Sequence, residues 1–296
     1  MTPVSVVIPT FNRAHEVRRA ISSVLSQTHN RYEIIVVDDG STDGTGRHLA
    51  PLGRLIQYRA HSANRGVSAA RNTGIAAARY PLLAFLDSDD YWLPQKLAVQ
   101  VRFHEANPAA LASQTEEIWI RRGRRVNPGR RHRKPSGDVF VPSLKLCLVS
   151  PSAVMIRRLL LDEVGLFDES LPACEDYDLW LRIACRHPIH LIERPLVVKE
   201  GGRPDQLSAT HKGMDRFRIK AMLKILGSGR LSAKQAEATV RELALRCRIY
   251  GNGCLKRGKR GEGEYYLSLP EAARERVKTG FGPGARYPVM EGLPRK

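Results

Sequence analysis

Apolar and polar positions along the first 110 or so residues repeat a strand-then-helix pattern. Val4-Ser5-Val6-Val7-Ile8 is an apolar run ending at Pro9, which suits a parallel strand covered on both faces. Asn12 follows as the expected cap of a helix in which Val17, Ile21, Val24 and Leu25 recur at helical spacing. Glu33 to Val37 is a second apolar strand that runs straight into Asp38-Asp39-Gly40-Ser41-Thr42-Asp43. Strand, helix and strand in this order make a right-handed βαβ unit with parallel strands. Leu55-Ile56-Gln57-Tyr58 predicts a short strand, Val67 to Arg79 an Ala-rich helix, and Leu82 to Leu86 a third strong strand ending in Asp87-Ser88-Asp89-Asp90. Pro94 stands where a first-turn proline belongs, with Leu97, Val101 and His104 continuing a helix behind it. At least two strands therefore end in carboxylates on one edge of a parallel sheet, the edge at which open α/β sheets bind ligands.

The pattern changes after Asn107-Pro108. Residues 111–120 and 138–141 predict strands flanking a loop that holds Arg121, Arg122, Arg124, Arg125, Arg130, Arg131, Arg133 and Lys134. A short helix over Arg158–Val164 stops at Gly165, as a helix C-terminus would. A further helix starts near Asp176, and Ile189 to Lys199 alternates like a strand. From about residue 213 the chain reads as helix rich in Lys, Arg, Ala and Leu, and a Gly/Pro-containing stretch over 281–296 reads as a mobile tail. There is no internal repeat.

Composition narrows the class. At 296 residues and 42% apolar content the chain can bury a substantial core. No run approaches the roughly 18–20 apolar residues of a membrane span, and Met1-Thr2-Pro3-Val4-Ser5 does not look like a secretory leader, so a cytosolic protein is expected. Five scattered cysteines without a Cys-x-x-Cys pair argue against both a disulfide framework and a zinc site. The outlier is a net charge of +18. It reflects either Arg-rich solvated faces or attraction to something anionic: a membrane surface, a phosphate-bearing acceptor or nucleic acid.

The acids at the strand ends carry the candidate chemistry. Asp87 and Asp89, one residue apart beyond a buried strand, offer hard oxygen ligands of the kind that hold Mg²⁺ or Mn²⁺ together with substrate phosphates. Pro9-Thr10-Phe11-Asn12 lies at the end of the first strand, where a base could rest, and Arg71 lies on the helix feeding the strand of Asp87 and Asp89. Glu175-Asp176-Tyr177-Asp178-Leu179-Trp180 sets carboxylates at a helix N-terminus, an arrangement that helix capping alone also explains.

The ordered set Pro9-Thr10-Phe11-Asn12, Asp38-Asp39-Gly40-Ser41-Thr42-Asp43, Asn64-x-Gly66 with Ala70-Arg71-Asn72-x-Gly74, Asp87-Ser88-Asp89-Asp90 and Glu175-Asp176-x-Asp178-Leu179-Trp180 resembles family-2 glycosyltransferases of the GT-A fold over roughly residues 3–200. The resemblance implies an α/β fold, a Rossmann-like, mostly parallel sheet flanked by helices, to which the residue pattern adds a helical C-terminal extension. It implies a catalytic domain over 1–210 (nucleotide-binding half about 1–107, acceptor half about 108–210); the helical region over 211–280, read from the residue pattern, lies outside it. It further implies inverting, non-processive transfer from a nucleotide-sugar donor, with a uridine donor expected, to a glycan, lipid-linked or other hydroxyl acceptor. On matching positions, Asp39 resembles the residue that hydrogen-bonds the nucleobase, with Pro9, Thr10 and Asn12 lining that slot and Arg71 near base and phosphates. Asp87 resembles the ribose- or metal-side acid, Asp89 the direct ligand of Mn²⁺ or Mg²⁺, and Asp176 the general base, with Glu175 and Trp180 on the acceptor side.

The chain departs from this pattern in one place: where a late His would be expected to reach the metal stands Arg203, and His211 is a weak substitute. The Gln-x-x-Arg-Trp signature of processive synthases is absent. Two rival classes fare worse. A nucleotidyltransferase would carry a Gly-rich basic loop after the first strand, where this chain has Pro9-Thr10-Phe11-Asn12-Arg13. A nucleic-acid binder would interleave aromatics with its basic cluster, yet only Trp119 lies near residues 121–134. Beside Arg-rich solvated faces, peripheral contact of the basic segments with an anionic inner leaflet is the more useful functional reading of the charge.

Overall fold

The computed structural model describes residues 1–127, 129–202 and 213–279. Its first half contains β1 (Val4–Thr10), α1 (Ala14–Leu25), β2 (Tyr32–Asp38), α2 (Thr45–Leu49), β3 (Gln57–Ala60), α3 (Val67–Ala77), β4 (Leu82–Phe85), the two-residue β5 (Tyr91–Trp92) and α4 (Lys96–Ala106). Then come β6 (Ala112–Arg121), β7 (Arg124–Val126), α5 (Phe140–Lys145), β8 (Val154–Arg157), α6 (Leu159–Val164), α7 (Glu175–Ala184) and β9 (Ile189–Gly201). Among the described residues three helices follow, here α8 (Asp215–Leu226), α9 (Ala233–Lys256) and α10 (Arg260–Thr279).

The strands form one sheet in the order β3-β2-β1-β4-β8-β6-β9-β5, with β7 paired to β6. β3, β2, β1 and β4 run parallel, as the βαβ pattern requires. β8 joins β4 and β6 antiparallel, while β9 lies parallel to β6 and antiparallel to β5. The result is a mixed sheet whose parallel half carries the acidic strand ends.

Every residue of β1 is buried, because helices cover both faces. Val4, Val6 and Ile8 join Val17 and Ile21 of α1 and Leu97 and Val101 of α4. Val7, on the opposite face, joins Ala70 of α3, Trp180 of α7 and, continuously, Met222 of α8, Leu243 of α9 and Ala273 of α10. The C-terminal helices therefore complete one face of the sheet's core. Gly74 lets α3 sit close to β1, since a Cβ at that position would run into the Val7 side chain.

Several local expectations need correction. Asn12 does not cap α1: it has φ of 50° and its Oδ1 accepts from the Thr42 backbone N–H at 2.8 Å, so it ties two loops together. Pro94 lies just before the N-cap Gln95 and not in the first turn of α4. Residues 138–141 form no strand; α5 begins at Phe140, whose aromatic ring is drawn into the core beneath α7. Leu55 and Ile56 precede β3, which starts at Gln57, and α3 ends at Ala77, short of Arg79. Gly165 does end α6, with φ of 82°. The expected tail over 281–296, Arg203 and His211 lie outside the described residues.

Candidate active site

The end of β1 and the turn after β2 form one side of a cleft at the carboxyl edge. Thr10 stands level with Asp38 in the parallel register, and the Asp39 backbone N–H donates to the Thr10 carbonyl at 2.9 Å. Thr10 Oγ1 is buried without a hydrogen-bond partner. The Asp39 carboxylate gathers the 61–66 segment: Oδ1 accepts from the Arg65 N–H at 3.0 Å and pairs with His61 Nδ1 at 2.6 Å, and Oδ2 accepts from the Gly66 N–H at 2.7 Å. One acceptor position of Oδ2 is left over for a ligand. Gly40 between these elements is obligatory: its φ is +80° and a Cβ would meet Ala63 backbone at 2.6 Å.

Asp87, Ser88, Asp89 and Asp90 form a turn after β4, closed by the Asp90 N–H on the Asp87 carbonyl at 3.0 Å. Ser152 organises this turn from the neighbouring β8 side: its Oγ accepts from the Asp87 N–H at 3.1 Å and donates to Asp90 Oδ2 at 2.7 Å. Burial opposes ionisation of Asp87, yet the positive charges of Arg71, Lys199 and Arg13 hold its pKa below the usual carboxylate range. Asp90 behaves oppositely. Burial pushes it well above that range, and the like charges of Asp89 and Asp87 push the same way. Asp89 pairs with Arg13 Nη1 at 2.5 Å, and its backbone carbonyl accepts from Arg19 Nη2 at 3.0 Å.

Arg71 joins this turn to α7. Its side chain is 4% exposed and bridges Asp87 (Nη2 to Oδ1, 2.8 Å) and Glu175 (Nη1 to Oε1, 2.6 Å), with its guanidinium 5.1 Å from the Phe167 ring centroid. Burial would lower its pKa, but the two carboxylates raise it instead. Glu175 is buried and raised by burial and by neighbouring Asp176. Asp176, at the first turn of α7, remains partly exposed; its Oδ1 accepts from the Tyr177 N–H at 2.7 Å and its Oδ2 lies 3.5 Å from the Cys147 thiol. Burial keeps that thiol protonated, pushing its pKa well up.

Two acceptor-side expectations are corrected by this geometry. Trp180 is 1% exposed and packs edge-on to Phe167, so it is core and cannot touch an acceptor. Glu175 is committed to Arg71 inside the protein. Asp178, the third acid of the segment, pairs with Arg182 at 2.8 Å and Lys224 at 3.0 Å, docking α8 on α7.

Four contributors escaped sequence reasoning. Lys199 of β9 donates from Nζ to Ser150 Oγ at 3.1 Å. Burial disfavours its charge, but Glu117, Asp90, Asp87 and Asp176 around it raise its pKa above the ordinary lysine value. Its signal was a cation directly following the apolar run Leu196-Val197-Val198. Arg13 directly follows the Pro9–Asn12 segment and was visible there; Cys147 and Ser152 carried no signal. Asp87 and Asp89 together offer carboxylate oxygens at a partly exposed strand end, a donor set that fits a divalent cation completing its shell from phosphate oxygens. Among the described residues no group of three or more His, Cys, Asp or Glu converges as a self-sufficient metal cage.

The profile of the family described as Glycosyl transferase family 2 matches residues 5–165. The chain belongs to that family. It is 36% identical over 197 residues to a glycosyltransferase of Rickettsia felis, covering 66% of this chain but 32% of the relative, so it spans about a third of that protein's length. It is 30% identical over 258 residues to the succinoglycan biosynthesis protein ExoU of Rhizobium meliloti (81% of this chain, 74% of ExoU). With the Escherichia coli UDP-Glc:alpha-D-GlcNAc-diphosphoundecaprenol beta-1,3-glucosyltransferase WfgD it shares 32% over 181 residues (61% and 69%). Among solved structures, S. aureus TarS 1-349 in complex with UDP-GlcNAc superposes with a TM-score of 0.74 at 19% identity, covering 94% of this chain and 83% of the other. The mannosyltransferase PcManGT from Pyrobaculum calidifontis, solved with GDP-Man and Mn2+, superposes with a TM-score of 0.61 at 19% identity (95% and 77%). Both likenesses place the α/β fold with its C-terminal helices among GT-A structures. Among the described residues no helix is long and apolar enough to cross a membrane.

Proposed function

We propose that this chain transfers a sugar from a nucleoside-diphosphate sugar to an acceptor hydroxyl in cell-envelope glycan synthesis, inverting the anomeric centre. The observation that carries it is the Arg71 bridge, which fixes the Asp87–Asp89 turn and the Asp176 end of α7 on either side of one guanidinium. The donor's base rests against Thr10 and Asp39, where a buried hydroxyl and one carboxylate acceptor position are unused. Its diphosphate lies over the turn of Asp87 and Asp89. A divalent ion held by those two carboxylates would neutralise charge on the departing diphosphate. Lys199 and Arg13 contribute fixed positive charge to the same place. On the other side Asp176 accepts the acceptor's hydroxyl proton as its oxygen attacks the anomeric carbon, and the bond to the diphosphate breaks with its electrons. A uridine donor is favoured by the WfgD name and by the TarS complex, and the diphosphate-bearing acceptor in the WfgD name makes a phosphate-bearing acceptor the leading class.

UDP with Mn²⁺ is expected to raise the melting temperature of the full chain, while either alone does little and Asp89→Ala abolishes the joint effect. A panel of nucleoside diphosphates names the base. If no nucleotide shifts the melt with any divalent ion, the donor site is misread.

The β6–β7 hairpin exposes Arg121, Arg122, Arg124 and Arg125, which supports peripheral contact with an anionic leaflet on the cytoplasmic side. Each such residue contributes about 1 kcal/mol near an anionic surface. In flotation assays the protein is expected to rise with anionic and not with neutral vesicles, and less so in high salt. Equal, negligible flotation with both removes the membrane from the picture.

A further inference from the structure

A cavity of about 380 Å³ opens between the start of α8 and the C-terminal half of α9, lined by Met214, Asp215, Arg218, Arg246, Tyr250 and Arg257 among others. Among the described residues three guanidiniums share it with one lining carboxylate. Asp215 Oδ1 accepts from both Arg218 Nη1 and Arg246 Nη1, each at 3.2 Å. Arg246 is held in place by Glu242 at 2.7 Å and by the Lys145 carbonyl at 2.6 Å. Arg218 Nε is buried without an acceptor, a cost that native structures seldom leave standing without a role. Arg257 donates to Cys254 Sγ at 3.7 Å, a weak acceptor, and its remaining N–H groups face an exposed position.

Two contacts tie the walls of this cavity to the segments that hold the candidate base. Met214, on its wall, accepts through its carbonyl from the thiol of Cys174 at 3.9 Å, and Cys174 precedes Asp176 by two residues. Lys145, whose carbonyl anchors Arg246, lies two residues before Cys147, whose thiol reaches Asp176 at 3.5 Å. Neither the nucleotide nor the divalent ion is placed here, because Asp39, Asp87 and Asp89 belong to the opposite side of the Arg71 bridge.

We propose that this arginine-lined cavity binds a phosphate or diphosphate group carried by the acceptor, so that the acceptor's hydroxyl is delivered to Asp176. The proposal rests on Asp176 being the acceptor-side base. Forked guanidinium donors match phosphate oxygens in pairs, and Arg218, which lines the cavity, has an N–H without an acceptor. Ile249, 52% exposed on the wall of the same cavity, and Leu245 one turn earlier on α9 give an apolar shoulder next to the anion position. An acceptor whose phosphate is attached to a lipid would use that shoulder; a soluble phosphate-bearing glycan would not.

The test uses the full chain without divalent ions and measures binding of inorganic pyrophosphate and of geranyl diphosphate by calorimetry. Wild type is expected to bind both, and Arg218→Gln and the surface variant Arg257→Gln each to weaken binding at least about 5-fold without moving the melting temperature of the free protein. Asp89→Asn, which removes a donor-side acid, is expected to leave this binding intact. Tighter geranyl diphosphate binding that is lost in Ile249→Ser identifies a lipid-linked phosphate, and equal binding of both probes a soluble one. No binding by wild type, or binding unchanged in both arginine variants, overturns the proposal. UDP–Mn²⁺ stabilisation is scored on the same samples. Its failure with the anion still bound tells against the donor site alone, and its persistence without anion binding tells against this cavity alone.

Discussion

Asp176→Asn is expected to lower kcat about 10²–10⁴-fold, the usual range for loss of a positioned general base. UDP binding with Mn²⁺ should stay within about 2-fold of wild type, because Asp176 lies across the Arg71 bridge from the Asp87–Asp89 turn. Asn is the informative substitution. It is isosteric, and its amide oxygen still accepts the Tyr177 N–H that orients the side chain at 2.7 Å. What it should lose, on the proposed role, is the ability to take a proton from the acceptor hydroxyl. Steady-state kinetics with donor and acceptor both saturating separate the two effects, since a base lost from the chemical step lowers kcat and leaves donor affinity alone. A kcat within about 3-fold of wild type would falsify the assignment of Asp176. Product NMR is an independent check on the same step: a retained anomeric configuration would exclude single displacement with Asp176 as base.

Arg71→Met should have the largest effect on stability. Arg71 and Glu175 are both buried, and the same guanidinium also holds Asp87. Removing one partner of a buried ion pair leaves uncompensated charge behind and costs about 3–5 kcal/mol. The variant should also show a distinctive pH dependence. In the wild-type protein burial and Asp176 already raise Glu175, while Arg71 and the neighbouring cations keep Asp87 low. Without Arg71 both carboxyls lose the cation that favours their charged form, so both folded-state pKa values move up. A carboxyl raised above its unfolded-chain value destabilises the fold in full above its folded-state pKa; the penalty shrinks as pH falls through that value and is gone below the unfolded-chain value, about pH 4–4.5. Between neutral pH and those values the deficit relative to wild type should shrink as the folded state takes up protons. Urea unfolding at pH 5 and pH 8 measures this directly. A deficit under about 1 kcal/mol, or one equal at both pH values, would show that the bridge is not what couples the two halves of the cleft.

Much of the catalytic framework was legible in the chain itself. The apolar runs at Val4–Ile8, Glu33–Val37 and Leu82–Leu86 became β1, β2 and β4, and the acids that follow them stand at the carboxyl edge as parallel pairing demands. These are local signals: a run of β-branched residues bounded by turn formers selects strand, and a βαβ crossover has one favoured hand. Gly165 stopped α6 for a reason equally local, its left-handed φ. Local reading failed where a tertiary partner outbid it. Asn12 had cap chemistry but found the Thr42 N–H, and Phe140 sat in a strand-like stretch yet is fully buried as the first residue of α5.

The division is sharpest at the cleft. Sequence order determined which residues could be acids at a strand end or at a helix N-terminus, because those positions follow from hydrophobic period and turn chemistry. It could not determine which way each of them faces. Glu175 and Asp176 are adjacent, and the helical rotation between them sends one inward to Arg71, a partner 104 positions away, and leaves the other at the cleft. Trp180 follows the inward side and is lost to the core. Arg13 against Asp89, and Lys199 amid Glu117, Asp90, Asp87 and Asp176, are likewise contacts between distant segments. Only the folded sheet, with β1 beside β4 and β9 beside β6, brings those charges together, since the energy of such a cluster depends on distance and burial, neither of which the one-dimensional order contains.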